Sequence, residues 1–435
     1  MNTPQSILGS VVAIVLGTLL VAPHVYAQDD WDDDWEEDKV APVELHGFVE
    51  AAGSSRIVDD PQANDDFLLG EARFRLDLSH YGDRSEMSFK GDLVHNAVRD
   101  DSFLDIRQAW IGLRSGTAVD WRLGRQVLTW GTGDLLFLND LFPKDFVSFF
   151  TGRDDEFLKS PANTLKASIY ASAINVDIAW TPVFSADKTI TGEVLSFTNP
   201  GSGEAIGPAS PQTPITAVDP SRTLANGEWA ARAHRHLGGI ETAAYGYYGR
   251  FKQPTAWDVQ AMQPAYARMA SGGASVRGNL FGGLYNVEGS YYGSLDDPGG
   301  TDPNVPNSES RGLLGYEHEL RAKLTLGVQY YLEWIHQHDR LLSNAPNNSL
   351  TPAESRQLGT ARLTWRLMQE TLQLSLFGFV DLQKGDTHWR PAITRDWTDT
   401  IQVSAGANIM TGPNNTFFGQ LSNNTNAYFR VRYSL

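Results

Sequence analysis

Segments of about ten residues in which apolar and polar side chains alternate recur from residue 43 to the end of this chain, and this period of two constrains the fold more than any other feature. In 324–334, Leu324, Leu326, Val328, Tyr330, Leu332 and Trp334 share one face, opposite Thr325, Gly327, Gln329, Tyr331 and Glu333. In 372–382, Leu372, Leu374, Leu376, Gly378, Val380 and Leu382 oppose Gln373, Ser375, Phe377, Phe379 and Asp381. Residues 401–409 repeat the pattern. Each stretch matches the roughly 9 to 11 residues that a tilted strand needs to cross a bilayer.

The alternation predicts 18 strands, at 43–56, 67–81, 85–96, 104–114, 119–130, 164–171, 174–183, 228–236, 240–251, 266–277, 284–294, 311–321, 324–337, 356–367, 372–382, 387–395, 401–410 and 427–435. Connectors such as 82–84, 115–118, 172–173 and 322–323 are short, whereas 131–163, 184–227, 252–265, 295–310, 338–355 and 411–426 are long. A soluble β-sandwich would also alternate, but it has no reason to sort its loops by length. A membrane barrel does, with short turns at one rim and long loops at the other. Only a closed ring satisfies every backbone group in hydrocarbon. The expected fold is therefore all-β: one transmembrane antiparallel barrel of 16 to 18 strands over 43–435.

Composition closes off other classes. With 35 basic and 52 acidic side chains the formal charge is −17, which speaks against a nucleic-acid partner. The absence of cysteine removes disulfide frameworks, thiolate metal sites and cysteine nucleophiles. Past the first two dozen residues no apolar run approaches the roughly 20 residues of a spanning helix.

Residues 7–21 read ILGSVVAIVLGTLLV, followed by Pro23 and Val25-Tyr26-Ala27. This predicts a signal peptide over 1–27, although no Lys or Arg precedes the apolar core. Gln28 to Lys39 then carries eight carboxylates against Lys39, or −7 of the −17, leaving −10 elsewhere. The segment 28–42 is read as a solvated periplasmic tail, or else as an arm for cations or a basic partner with Trp31 and Trp35 as anchors. At the other end Ala427, Phe429, Val431, Tyr433 and Leu435 share a face. This resembles the C-terminal signal of Gram-negative outer-membrane proteins, departing from it in ending on Leu435 rather than an aromatic residue. The resemblance implies engagement of the barrel-assembly machinery by the last strand, and outer-membrane lipid as the surroundings.

If lipid takes the apolar face, the polar face lines a lumen. Parity then sends Glu71, Arg73, Arg75 and Asp77 inward, along with Glu44, His46 and Glu50 of the first strand and Arg430 and Arg432 of the last. Closure makes those strands neighbours. Arg122, Lys166, Arg232, Arg362 and Arg366 point inward by the same rule. Two readings stand: the charges neutralise one another in a wet pore, or they form an arginine ladder that guides anions.

The connector 131–162 is too apolar to hang in water, with Leu135, Leu136, Phe137, Leu138, Phe146, Phe149 and Phe150 among its residues. It is expected to fold into the barrel and narrow it, offering Asp134, Lys144, Asp145, Arg153, Asp154, Asp155 and Glu156 as a charged lining. Packing over a rim or a neighbouring protomer is the other reading. Just before it, Leu123-Gly124-Arg125-Gln126, Trp130-Gly131 and Gly133-Asp134 resemble a pattern in large bacterial porins, including the alginate-export porin family. That resemblance implies that Arg125 and nearby arginines contact carboxylated sugars. Parity puts Arg125 on the lipid face, so it would reach the lumen only through a bulge at Gly124.

His234, His236, His336, His338 and Asp339 are the residues an enzyme reading would use, but no third metal ligand, phosphate loop or nucleophile elbow accompanies them. No enzyme activity, cofactor or metal is expected. The sequence thus predicts a water-filled channel, monomeric or trimeric, through which small hydrophilic solutes diffuse, anions included. A dedicated conduit for an anionic polysaccharide or organic acid is the alternative.

Overall fold

A computed structural model describes residues 43–199, 203–211, 213–346 and 351–435. The leader at 1–27 and the acidic segment at 28–42 lie outside the described residues. The barrel strands are β1 (Glu44–Arg56), β2 (Phe67–Tyr81), β3 (Ser85–Asn96), β4 (Asp101–Ser115), β5 (Val119–Gln126), β6 (Ala162–Tyr170), β7 (Asn175–Thr181), β8 (Glu228–Leu237), β9 (Ile240–Arg250), β10 (Arg268–Leu280), β11 (Gly283–Ser294), β12 (Glu309–Arg321), β13 (Leu324–Ile335), β14 (Ser355–Leu367), β15 (Leu372–Asp381), β16 (Thr387–Asp396), β17 (Ile401–Thr411) and β18 (Asn426–Ser434). They form one 18-stranded sheet in which each strand pairs antiparallel with its sequence neighbours, and β18 pairs with β1. The ring is closed.

Its burial is inverted relative to a soluble domain. Leu123 is 63% exposed while Arg73 is 4% exposed, and the same contrast runs round the wall. Leu45, Phe74, Leu93, Leu104, Ile111, Leu314, Val328 and Phe429 are exposed on the outer face, whereas Glu50, Glu71, Arg75, Asp92 and Glu288 are buried inside. Exposed Trp229, Tyr248, Tyr291 and Trp334 stand near the long-loop rim, with Trp229 stacked on Trp180 at 5.7 Å. Aromatic rings at that level suit a lipid–water boundary, being apolar in body and polar at one edge.

The short turns and both described ends of the sheet share one rim, and the long connectors share the other. Three connectors at the long-loop rim, 57–66, 97–100 and 382–386, are shorter than their neighbours. β5 stops at Gln126, so the connector to β6 runs over 127–161 and starts earlier than its composition suggests.

That connector turns inward. It carries the short helix α1 (Phe146–Thr151), which Asp145 starts by accepting from the Ser148 amide and Gly152 ends in the left-handed region at φ 83°. Phe149, Phe150 and Leu158 pack against the inward-facing Phe377, Phe379 and Met410 of the wall. Asn408 and Asn426 both donate to the Phe150 carbonyl, at 3.2 and 2.9 Å, satisfying an acceptor that the helix end leaves free. The connector between β7 and β8 clamps it from above: Lys188 N–H donates to the Lys144 carbonyl at 2.8 Å and Phe146 N–H to the Lys188 carbonyl at 3.0 Å.

Candidate functional site

The inward wall is densest in charge where β18, β1, β2 and β3 adjoin. Register alone sets this up, because Glu50 stands opposite Arg73 on one side and Arg432 on the other, and Arg75 stands opposite Asp92. Asp92 is fully buried and accepts from Arg73 and, at 2.6 and 2.7 Å, from Arg75. Glu71 accepts from Arg73 at 3.0 Å and from Arg153 of the infolded segment. Buried charges of opposite sign are tolerated when each is this fully hydrogen-bonded.

Onto this base the infolded segment lays three consecutive carboxylates. Asp154 lies 3.4 Å from both Arg430 and Arg432, Asp155 lies 2.7 Å from Arg390, and Glu156 lies 2.8 Å from Arg75. Their side chains are 29%, 50% and 35% exposed, so water reaches all three pairs. Burial works against ionisation of Asp155, yet Arg390 outweighs it and holds the carboxyl below the usual carboxylate range. Burial also opposes the charge on Arg153, and Glu71 with Asp145 more than restores it. Asp145 is held low by Lys188 and the Ser148 amide despite burial.

Across the lumen the segment is pinned a second time. Glu288 of β11 accepts from the Thr132 amide at 2.7 Å and the Asn139 amide at 2.9 Å. Asp134 pairs with Arg362 at 2.5 Å, and its amide donates to Gln329 at 2.8 Å. Lys144 is buried and paired with Asp140 at 3.0 Å. The segment therefore spans from β1–β3 and β16–β18 to β11–β14. Above it opens a cavity of about 1220 Å³, lined by Arg73, Arg107, Arg153, Asp105 and Asp145 among others.

Four further cations that parity sends inward are also paired: Arg122 with Glu86 at 2.9 Å, Lys166 with Asp177 at 3.2 Å, Arg232 with Glu241, and Arg366 with Glu370 at 4.0 Å near the short-turn rim. Arg125 is the correction. It stands opposite Ala109 and Asn163 in unbroken register, on the same outer face as Trp121 and Leu123, and its Nε donates to the Ile106 carbonyl at 2.5 Å. No register shift occurs at Gly124, although its φ of 136° and the 2.2 Å between an added Cβ and the Ala109 carbonyl keep that position a glycine. The motif that resembles the alginate-export family does not put its arginine in the lumen.

Several inward residues were not singled out by alternation. Arg107 reaches in because β3 and β4 slip by one residue between Lys90 and Gly91, so that Gly91 faces Ile106, Lys90 faces Gln108, and Arg107 is extra. It donates to the Glu156 and Lys159 carbonyls at 2.9 and 2.7 Å. A slip of this kind leaves no mark on periodicity. Arg390, Asp92 and Glu288 do obey parity and were readable from it.

The histidines are engaged locally. His336 bonds Ser310 at 2.8 Å, His338 bonds the Pro352 carbonyl at 2.8 Å, and His234 and His236 lie 3.6 and 3.8 Å from Asp177 and Glu241. Among the described residues no three His, Cys, Asp or Glu are grouped to hold a metal.

A closed ring of 18 antiparallel strands, apolar outside and charged within, is the architecture of outer-membrane channels. The chain is similar in fold to OccAB3 of Acinetobacter baumannii, at TM-score 0.54 and 9% identity over 91% of this chain and 100% of that chain. It is likewise similar to OccD3 (OpdP) of Pseudomonas aeruginosa, at TM-score 0.53 and 10% identity over 91% of this chain and 92% of that chain. At such identities the likeness is one of fold. No family model and no curated protein matches the chain.

Proposed function

We propose that this chain is an outer-membrane porin through which small hydrophilic solutes diffuse passively. One observation carries this reading: charge is buried inside and apolar surface exposed outside around a closed ring. A lipid-facing wall around a polar interior gives hydrophilic solutes a path across the bilayer. In this reading 127–161 is the filter, standing across the lumen on ion pairs with both walls. The leader at 1–27 directs export, 28–42 projects into the periplasm, and β18 is the strand that the barrel-assembly machinery engages.

The arginine wall supplies selectivity. Arg73 is locked to buried Asp92, and Arg75 is held by Asp92 as well as by Glu156. Arg390 and Arg430 pair only with carboxylates that water reaches, and Arg432 divides itself between buried Glu50 and such a carboxylate, so these last three are the cations a passing anion engages most readily. Purified full-length protein in planar bilayers should give ohmic channels with a reversal potential displaced toward the anion in a salt gradient. Arg390→Gln, Arg430→Gln and Arg432→Gln together should remove that displacement. Channels that conduct but keep their anion preference would sink the selectivity reading, and an absence of conductance would sink the porin itself.

A further inference from the structure

The infolded segment does not fill the space it crosses. Between its apolar side and the wall from β10 to β15 lies a cavity of about 400 Å³. Nine of the chain's 20 phenylalanines line it, with Tyr292 and Tyr331. Protein interiors leave few voids larger than one water molecule, so a space of this size holds either water or a guest.

Water is poorly served along most of its wall, because an ordered water needs about two to four polar partners and most of the charged groups there are already paired, the Arg311 Nε being an exception. Lys144 donates to Asp140 at 3.0 Å and to the Phe142 carbonyl at 2.7 Å. Lys252 is held by Glu228 and the Ser185 carbonyl. Arg311 pairs with Glu309, and Arg356 with Asp381 at 3.4 Å. The tyrosine hydroxyls are used as well, Tyr331 on Glu333 at 2.8 Å and Tyr292 on the Leu138 carbonyl. Most of what faces the space is apolar, the rings foremost.

We propose that this cavity is a binding site for small uncharged aromatic molecules. The surrounding rings already meet edge to face, Phe149 with Phe150 at 5.1 Å and 75°, and Phe417 with Phe418 at 5.0 Å and 81°. A guest ring extends that packing, since offset and edge-to-face contacts are the favoured ones. A cavity of roughly 150 Å³ already admits benzene, so this one accommodates a substituted ring. A carboxylate is the wrong guest: it would shed its hydration and compete with Asp140, Glu228, Glu309 and Asp381 for the cations at the wall. The site stands apart from the arginine wall and adds an aromatic compartment to a channel otherwise suited to hydrophilic solutes.

Resorcinol, its fully hydrogenated counterpart and its carboxylated counterpart resorcylate are matched probes. Isothermal titration calorimetry on the full-length protein in detergent reads binding whether or not the channel conducts, so failure here and failure of the porin reading are distinguishable. Resorcinol is expected to bind more tightly than either counterpart, and Phe137→Leu and Phe417→Leu, which keep an apolar side chain, should each weaken it by about fivefold. Phe417 is 40% exposed, so its variant leaves the packing of the wall intact. Equal affinity for resorcinol and its hydrogenated counterpart, tighter binding of resorcylate, or affinity unmoved in both variants would overturn the proposal.

Discussion

Asp187 sits where the β7–β8 connector meets the infolded segment, and exclusion of water governs its chemistry. Burial pushes its carboxyl up to about 6, against the pull of Lys144 and Lys252 and a hydrogen bond from the Lys144 amide at 2.8 Å. A carboxyl raised in the folded state stabilises while protonated in both states, and that contribution is lost as pH rises from about 4 through about 6. Two pKa units correspond to on the order of 3 kcal/mol. The temperature at which the folded band converts to the unfolded band on a gel should therefore fall between pH 4 and pH 7 and then level off. Asp187→Asn should flatten that dependence and raise the neutral-pH value, and an unchanged slope in the variant would show that another group titrates. At this scale the sequence was legible wherever parity held. Arg73, Arg75, Arg122, Lys166, Arg232, Arg362, Arg366, Arg430 and Arg432 all turn inward and Arg125 turns outward, each as parity places it, because the register runs unbroken past Gly124 and no bulge turns Arg125 round.

Among the elements, the strands and the infolded segment obey different physics. The 18 strands were readable because lipid on one side and water on the other impose a period that no single substitution erases. β2 and β3 begin and end where the alternation does, while β5 stops short because Leu128 and Trp130 leave the wall for a cluster with inward-facing Tyr245 and Tyr247. The segment 127–161 follows no period, so composition betrayed only that it must be buried. Phe377 and Phe379, odd on a polar face, belong to the wall it packs on. Its polar anchorage is weak where water enters, since exposed ion pairs contribute about 0 to 1 kcal/mol each. Asp154→Asn, Asp155→Asn and Glu156→Gln in one chain should leave the barrel folded, held by its phenylalanines. The same change uncovers four arginines, so single-channel conductance should rise and the reversal potential move further toward the anion. A shift toward the cation would mean that these carboxylates, rather than the arginines they cover, set the field in the lumen.

For the whole molecule, closure decides everything else. β18 gives β1 nine registered residue pairs and β17 eight, and the Leu435 amide donates to the Gly47 carbonyl at 3.0 Å just past the last pair. Without β18 both neighbours would present bare edges to hydrocarbon, where each unsatisfied backbone group costs several kcal/mol. No loop contact compensates on that scale. Two wall arginines and the asparagine that helps hold the Phe150 carbonyl leave with the same strand. A chain ending at residue 425 should consequently neither insert into vesicles nor run as a compact band before boiling. The triple amide variant, which loosens the filter and spares the ring, should do both. If the shortened chain still produced a compact, heat-convertible species, β17 would have found β1 directly, and the register between first and last strands would not be what fixes the barrel at 18.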